Sequence, residues 1–375
     1  MTLNKGQIKP QIKPTIKMPT ASEEIWRYSR IGELDLDSYS PGLVTTKIAE
    51  LGTLGLLESL VSNATKVLPR DPVDVFEELN LHDAQVTAIT VARNQVVGEP
   101  IIITHSVDKT GVIVYPRLVI DAQENSEVTV VERFISSDEI KSVVIPVVDV
   151  RAAQSARVTY LAINELGTST WQIGYQQAIG QRDSLMRMFT VALGGEYARV
   201  RAEVRLEGQG ANSQQVALYF ADSTQMHDFR TLQDHAAPRT RSDLLFKGAV
   251  KDTAKSVYTG LIRIRENATK SEAFQTNRNL ILSHGAWAES VPNLEIETND
   301  VKCSHASTVG PVDDEQRFYL ESRGITPEIA ERLVVLGFFG EVLDRLPALP
   351  FISELRERVS TKLLGVKNDD GKARS

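Results

Sequence analysis

Short runs rich in valine, isoleucine, threonine and tyrosine dominate the middle of the chain, and polar segments separate them. β-Branched and aromatic residues favour strands, whereas clusters of polar residues favour turns. The clearest runs are QVTAITVA, EPIIITHS, GVIVYPRLVI, SEVTVVERF, KSVVIPVVDV, ARVTYLAI and YARVRAEVRLEG. The pattern therefore predicts many short strands with no helices between them.

An internal repeat runs through these strands. Aligning DAQENSEVTV, RAAQSARVTY, QRDSLMRM and GANSQQVALY places Val128, Val158, Met186 and Val216 at matching positions, 30, 28 and 30 residues apart. Repeats of this size that are built from strands are typical of a β-solenoid, in which each coil stacks on the one before it. We therefore predict a parallel β-helix; a β-sandwich whose strands resemble one another by chance is the alternative.

A shorter repeat follows the first one. The segments DTAKSVYTG, NATKSEAFQ and AWAESVPNL place Ser256, Ser271 and Ser290 in matching predicted turns, 15 and 19 residues apart. The predicted β-helix core, residues 91–312, includes both repeats.

The N-terminal part of the chain has a different character. Residues 1–20 carry four lysines and no acid around Ile-Lys-Pro units, which predicts an extended, disordered tail. Residues 21–90 are predicted to be a helical region, because Ser22 is a plausible N-cap and TTKIAELGTLGLLESLV has apolar residues at helical spacing.

Residues 313–375 return to helical periodicity. A first helix ends at Gly324, and Thr326 with Pro327 then begins a second as N-cap and first-turn proline. A third amphipathic segment, FISELRERVSTKLL, precedes a polar tail. We expect these helices to cap the open end of the solenoid and to shield its last strand from edge-to-edge pairing.

Composition narrows the possible functions. The 375 residues carry a net charge of −7 and have a pI near 5.6, which argues against a general nucleic-acid-binding role. No apolar run has the length of a membrane span and no secretory signal is recognisable, so we expect a cytoplasmic protein without membrane contact. Because Cys303 is the single cysteine, an intrachain disulfide and a metal site built from this chain's thiolates alone are both excluded.

Familiar catalytic motifs are missing from the sequence. It contains no GxxxxGK[ST] phosphate loop, no GxSxG elbow and no HExxH helix. A solenoid enzyme, such as a polysaccharide lyase or a hexapeptide acyltransferase, is the alternative from another class. The sequence shows neither the clustered charges of the former nor the six-residue repeat of the latter, so we expect a protein that is not an enzyme by itself.

Several longer strings resemble the SufB/SufD family of iron–sulfur cluster assembly proteins. They are SDLLFKGAVKD, SVYTGLIRI, QTNRNLILS and SVPNLEIETNDVKCSHASTVGPVDDEQRFYLESRGI. The resemblance extends over nearly all of the chain and implies a right-handed parallel β-helix flanked by N- and C-terminal helical regions. The length and the single KCSH string resemble the SufD branch more than the longer SufB branch.

The resemblance also implies partners. Members of the SufD branch act as scaffold subunits that pair with SufB through the β-helices and hold the ATPase SufC through C-terminal helices. The alternative within the family is a homodimer that is its own scaffold, and the lack of further cysteines counts against it. Complexes of the family bind reduced flavin, and the nascent iron–sulfur cluster forms transiently at the SufB–SufD interface.

Cys303 and His305 are the candidate residues for that interface. If NDVKCSHASTV is a strand, the two side chains project from the same face, and both suit a soft or borderline metal. A lone cysteine or histidine is more often structural than a ligand, so the residues alone do not predict a metal site. The resemblance implies that His305, and secondarily Cys303, contributes to a transient metal site shared with SufB.

The C-terminal helices carry more large apolar residues than a short cap requires. We expect some of them to anchor SufC, although all of them could instead belong to the domain's own core. The candidates are Phe318, Tyr319, Leu333, Phe338 and Phe339.

Overall fold

A computed structural model of the chain describes residues 17–50, 60–62, 72–347, 349 and 351–364. Most of the predicted N-terminal tail, and the end of the predicted C-terminal tail, lie outside these residues. None of the helices within the described ranges is both long enough and apolar enough to cross a bilayer.

Strands form most of the regular structure. In chain order they are β1 (Ser40–Pro41), β2 (Thr45–Glu50), β3 (Val61–Ser62), β4 (Gln85–Val91), β5 (Ile101–Ser106), β6 (Val112–Val114), β7 (Pro116–Ala122), β8 (Glu127–Ile135), β9 (Val143–Val144), β10 (Val147–Ala152), β11 (Arg157–Glu165), β12 (Trp171–Gly180), β13 (Leu185–Ala192), β14 (Tyr197–Leu206), β15 (Asn212–Ala221), β16 (Met226–His235), β17 (Arg241–Val250), β18 (Lys255–Ile264), β19 (Ser271–Ile281), β20 (Trp287–Ile296) and β21 (Val301–Gly310).

Helices occur before the first parallel coil and after the last one. The α-helices that lie entirely within the described residues are α1 (Val75–Asp83), α2 (Asp314–Glu321), α3 (Pro327–Leu343) and α4 (Ile352–Leu364). Three single 3₁₀ turns, Glu24–Trp26, Ile31–Glu33 and Leu36–Ser38, precede the first strand.

The strands build a parallel β-solenoid, as predicted. Sheet A has its main strands in the order β20-β18-β16-β14-β12-β10-β7-β4-β3, and sheet B has the order β2-β5-β8-β11-β13-β15-β17-β19-β21. Each coil contributes one strand to each sheet, which gives about eight coils in the described part of the chain. The parallel coils run from Gln85 to Gly310, so the first of them begins ahead of the predicted boundary at residue 91.

The long repeat corresponds to one full coil. Val158 lies opposite both Val128 and Met186 in sheet B, as predicted. The predicted match between Met186 and Val216 was wrong. Met186 lies opposite Ser213, and Val216 lies opposite Phe189. The coil that follows Met186 is shorter than the two before it, and the stacking register follows backbone pairing, not similarity of residue type.

The prediction that the short repeat marks matching turns was also wrong. Ser256, Ser271 and Ser290 all lie in strands, not in turns. Ser256 and Ser290 belong to sheet A and Ser271 belongs to sheet B, so residues 15 to 19 positions apart are separated by about half a coil and do not stack.

Part of the predicted N-terminal helical region is strand, and residues 51–59 of it lie outside the described residues. Thr45–Glu50, expected to be helical, is strand β2 and pairs antiparallel with β5. The short β3 pairs antiparallel with β4 in the same way. Without β2 and β3, the first coil would expose unpaired backbone groups on both sheets. Pairing with these strands provides hydrogen bonds to such groups, and this outweighs the preference for a helix that the spacing of apolar residues indicates.

The C-terminal helices do not cap the last coil, which corrects the expectation. Helix α3 packs on the outer face of sheet B against β15 and β17. Val335 and Phe339 join a buried cluster with Leu218 and Phe220 on that face. The outer face of sheet B is apolar here, and covering it with the helix removes this apolar surface from water.

A tyrosine links three consecutive coils inside the lumen of the solenoid. Tyr219, Gly248 and Asn279 lie opposite one another on β15, β17 and β19. The Tyr219 hydroxyl donates to Asn279 Oδ1 over 2.7 Å, and Asn277 Nδ2 donates to the same hydroxyl over 2.9 Å. The ring reaches these amides because Gly248 has no side chain; a Cβ at Gly248 would overlap the Tyr219 ring.

We predict that Gly248→Ala lowers the free energy of unfolding by about 1–3 kcal/mol, the usual cost of overpacking a core. Gly337→Ala is the matched control, since Gly337 lies in α3 with open space where its Cβ would be. Alanine should leave stability unchanged or raise it there, because glycine is a poor helix former. Urea denaturation measures both, and equal midpoints for the two variants would contradict the tyrosine packing.

Candidate functional site

The solenoid is open at its C-terminal end. Strands β20 and β21, each ten residues long, are the terminal strands of sheets A and B, and each pairs with only one other strand, β18 or β19, among the described residues. Their outer edges present unpaired backbone N–H and C=O groups, the arrangement that favours pairing with another chain. The opposite end of the solenoid is covered by β2 and β3.

Cys303 and His305 both lie on β21 and face the lumen at this end. They pair with Ala273 and Gln275 on β19, whose side chains are buried inside the solenoid. Because side chains alternate along a strand and neighbouring strands keep the same alternation, Cys303 and His305 share the inner face. The predicted strand and the shared face are therefore confirmed.

Polar and apolar side chains surround the two residues. Ser307, also on the inner face of β21, donates from its Oγ to Ser290 Oγ on β20 over 2.7 Å, so one hydrogen bond joins the two sheets across the opening. Leu294, Ile296 and Val309 are exposed beside it. We call the residues Ser290, Leu294, Ile296, Cys303, His305, Ser307 and Val309 the mouth.

The two candidate ligands differ in accessibility. Cys303 packs partly against the buried cluster of Ile262, Ile264, Ala268 and Ala273, whereas His305 is exposed. Burial raises the pKa of the Cys303 thiol. The thiol is therefore protonated at neutral pH, and it would become a strong metal ligand only by giving up that proton to the incoming ion.

The mouth does not form a complete metal site. No group of three His, Cys, Asp or Glu side chains within the described ranges is arranged to hold a metal ion. Cys303 and His305 could supply two donors to a tetrahedral site, which requires four. Their position on an unpaired edge allows a second protein to supply the remainder.

The predicted anchors on the C-terminal helices separate into two groups. Phe318, Tyr319 and Leu333 are 70%, 57% and 44% exposed. Phe339 is fully buried in the cluster beneath α3, and Phe338 packs partly against the same cluster. Phe339 is therefore a residue of the protein's own core, which corrects its assignment as an interface anchor.

Ile329 joins the exposed group, at 49% exposure, although it was not among the predicted anchors. It precedes Leu333 by four residues, so the two lie on one face of α3. That spacing was visible in the sequence, but periodicity alone does not show which face of a helix packs inward. We call Phe318, Tyr319, Ile329 and Leu333 the helical patch.

Two other histidines lie inside the lumen. Burial, together with the charge of Lys362, lowers the pKa of His227 to about 3, and burial lowers that of His235 to about 4. The His235 ring is held by Thr240 Oγ1 at 2.7 Å and Ser242 Oγ at 2.8 Å. These histidines are neutral residues of the solenoid interior, away from the mouth.

Comparison with known proteins finds a matching family model and several relatives. The family model for the SufBD core domain of SUF-system FeS cluster assembly matches residues 104–338. An iron–sulfur cluster assembly SufBD family protein of Mycobacterium tuberculosis is 36% identical, over 96% of this chain and 92% of its own length. The iron–sulfur cluster assembly protein SufD of Escherichia coli is 28% identical, over 78% and 70% of the two chains. The SufD protein of Bacillus subtilis is 31% identical, over 72% and 63%.

Because His227 and His235 are buried and neutral, we predict that the stability of the folded chain depends on pH. An unfolded histidine has a pKa near 6.5, so at pH 5 the unfolded chain binds protons that folded His227 and His235 do not. Stability should therefore fall as the pH is lowered from about 6.5 toward 4.

From pH 7 to pH 5 each buried histidine should remove about 2 kcal/mol of stability. Urea denaturation of His235→Gln should show a decline smaller than that of the wild type by about this amount. His284→Gln, at an exposed turn position, is the control and should decline as the wild type does. Identical declines for all three proteins would contradict a neutral, buried His235.

Proposed function

The chain belongs to the SufBD family of iron–sulfur cluster assembly proteins, and we propose that it is the scaffold subunit that completes a cluster-assembly site together with SufB. The observation that carries the proposal is the mouth, where an incomplete pair of metal ligands lies between two unpaired strand edges. The cluster is the cargo of this site and not a resident group of the chain.

The unpaired edges favour a partner of the same architecture. A second β-helix can place its own terminal strands against β20 and β21 and satisfy ten-residue edges on both sheets at once. The exposed Leu294, Ile296 and Val309 would be removed from water by the same contact. SufB, the β-helical partner implied by the family, meets both requirements.

The ligand set favours a shared and labile site. Cys303 and His305 supply at most two donors, so cysteine and acidic groups of SufB would complete the coordination of iron. A site that exists only while two proteins are in contact can release its cluster when the contact changes. Such release suits a scaffold that passes its product to an acceptor.

A homodimer is a second candidate for the isolated chain. The same two edges could pair with those of a second copy related by a two-fold axis, which is the usual symmetry of protein dimers. Two copies would bring together two Cys303 and two His305 side chains without any further thiol. We place the SufB complex first because it adds ligands that this chain lacks.

The helical patch supports a contact with SufC. Four large apolar side chains are exposed on two consecutive helices, α2 and α3, and exposed apolar surface of this kind commonly marks protein interfaces. Energy for cluster assembly or release would come from ATP hydrolysis by SufC, since this sequence has no phosphate-binding loop. In this proposal the chain is not itself an enzyme, and the flavin of the family's complexes is a cofactor of the assembled complex.

Helix α3 could transmit motion from SufC because ionic contacts fix it to the solenoid. Lys247 of β17 donates from Nζ to the Phe338 carbonyl over 2.9 Å and pairs with Glu341 at 2.5 Å. Lys247 is itself buried. A displacement of the helix would therefore move sheet B with it, including the strands that lead to the mouth.

The cluster-assembly role is tested by co-expressing the chain with SufB and SufC and measuring the iron–sulfur absorbance of the anaerobically purified complex. We expect His305→Ala to assemble the complex but to lose most of the absorbance, about tenfold, because the donor lies at the joint site. Ser304→Ala, one residue away on the outer face of β21, should match the wild type. Full absorbance in His305→Ala would refute the assembly role of the mouth.

The SufC contact is tested by binding measurements with Leu333→Ala. Truncating an interface anchor usually costs more than about 1 kcal/mol, so we expect SufC affinity to fall about tenfold. Leu364→Ala, an exposed leucine on α4, is the matched control and should bind as the wild type does. If both variants retain wild-type affinity, the helical patch is not the SufC contact.

A further inference from the structure

A column of four inward-facing side chains leads from the interior of the lumen to the mouth. Gln215, Leu244, Gln275 and His305 lie opposite one another on β15, β17, β19 and β21. His305 is the exposed end of the column, and Gln275 lies directly beneath it.

Gln275 has an unusual environment for a polar side chain. It is 2% exposed, and its Oε1 has no hydrogen-bond partner among the described residues. Its amide group extends toward Gly260 of β18, where a Cβ would overlap Gln275 Nε2. A buried acceptor without a partner is costly, and such groups in native proteins call for a specific explanation.

His305 needs a hydrogen-bond acceptor if it is to bind a metal. A neutral imidazole binds an ion through one ring nitrogen only, and the other nitrogen carries a proton. Metal-binding histidines almost always donate that proton to a fixed acceptor, which sets both the tautomer and the ring orientation. Strands in a sheet lie about 4.8 Å apart, so the side chains of Gln275 and His305 are immediate neighbours.

The other polar side chain of β19 near His305 is already engaged. Asn277, the next inward-facing residue of that strand, bonds to Tyr219 and Asn279. Gln275 Oε1 therefore remains as the acceptor on the adjacent strand.

We propose that Gln275 is a positioning residue for His305: rotation of the exposed imidazole brings its N–H to Gln275 Oε1, the acceptor that is unpaired among the residues that the structure describes, and so directs the second ring nitrogen to an incoming ferrous ion. The inference rests on the proposed function and deepens it, because it identifies which group orients the metal-binding residue. Gln275 would not contact the ion itself. Gly260 takes part by leaving room for the amide.

The test uses the full-length chain with ¹⁵N-labelled histidine, whose nitrogen shifts report the tautomer of each imidazole; the signal absent from His305→Ala identifies His305. We expect a single, fixed tautomer in the wild type and a mixture in Gln275→Leu, which removes the acceptor at similar volume. Gln275→Glu retains an acceptor and should restore the single tautomer. Gln215→Leu, which also removes a buried glutamine with an unpartnered Oε1, lies two coils deeper and should leave His305 unchanged.

Titration with Co²⁺ alone, followed through the same His305 signal, provides the second readout. Loss of an orienting partner typically weakens metal binding 10- to 100-fold, so we expect that decrease in Gln275→Leu but not in Gln215→Leu. A wild-type His305 that already samples both tautomers would overturn the proposal without any variant being needed. Equal behaviour of Gln275→Leu and Gln215→Leu would also overturn it.

These outcomes are independent of the cluster assay. If His305→Ala retains the cluster while the wild-type tautomer is fixed by Gln275, the proposed assembly role fails and the positioning contact stands. If His305→Ala loses the cluster but the tautomer does not depend on Gln275, the assembly role stands and the positioning proposal fails.

Discussion

Backbone hydrogen bonding between successive coils is the constraint on which this structure depends. Each strand inside the solenoid is paired on both sides, so only the first and last coils have unsatisfied edges. The first coil is completed by the antiparallel strands β2 and β3, whereas β20 and β21 have no equivalent among the described residues. The parallel edges at the C-terminal end are also longer, at ten residues each against six for β2 and two for β3, and the candidate ligands lie at that end.

Buried polar side chains lie along the lumen. In the early coils Tyr160 donates to Glu132, which also contacts His105, among aliphatic residues such as Ile120 and Val150, and the later coils contain Gln233, His235, Asn277 and Asn279. Buried polar side chains cost free energy unless they are hydrogen-bonded, and most of these are bonded to one another or to backbone carbonyls. In the last coils these hydrogen bonds include links between side chains of successive strands beneath the mouth.

The C-terminal helices pack against the solenoid with some of their large apolar side chains and leave others exposed. Val335 and Phe339 cover the apolar outer face of sheet B, and Phe318, Ile329 and Leu333 remain exposed. Ionic contacts add to the attachment, since Arg358 of α4 pairs with the buried Glu165 at 2.5 Å and Lys251 donates to the Leu363 carbonyl over 3.1 Å. A partner bound to the exposed side chains would thus contact helices that are attached to the solenoid.

The sequence by itself determined the fold class, the repeat of about 30 residues and the shared face of Cys303 and His305, because strand alternation and coil length are local properties that residue order encodes. It did not determine the register after Met186, the strand at Thr45, the burial of Phe339 or the side of the solenoid on which α3 packs. Each of these depends on which backbone edges and apolar faces remain unsatisfied after the coils have stacked. Gln275 became a candidate in the same way, since only the assembled lumen places its unpaired acceptor beneath His305.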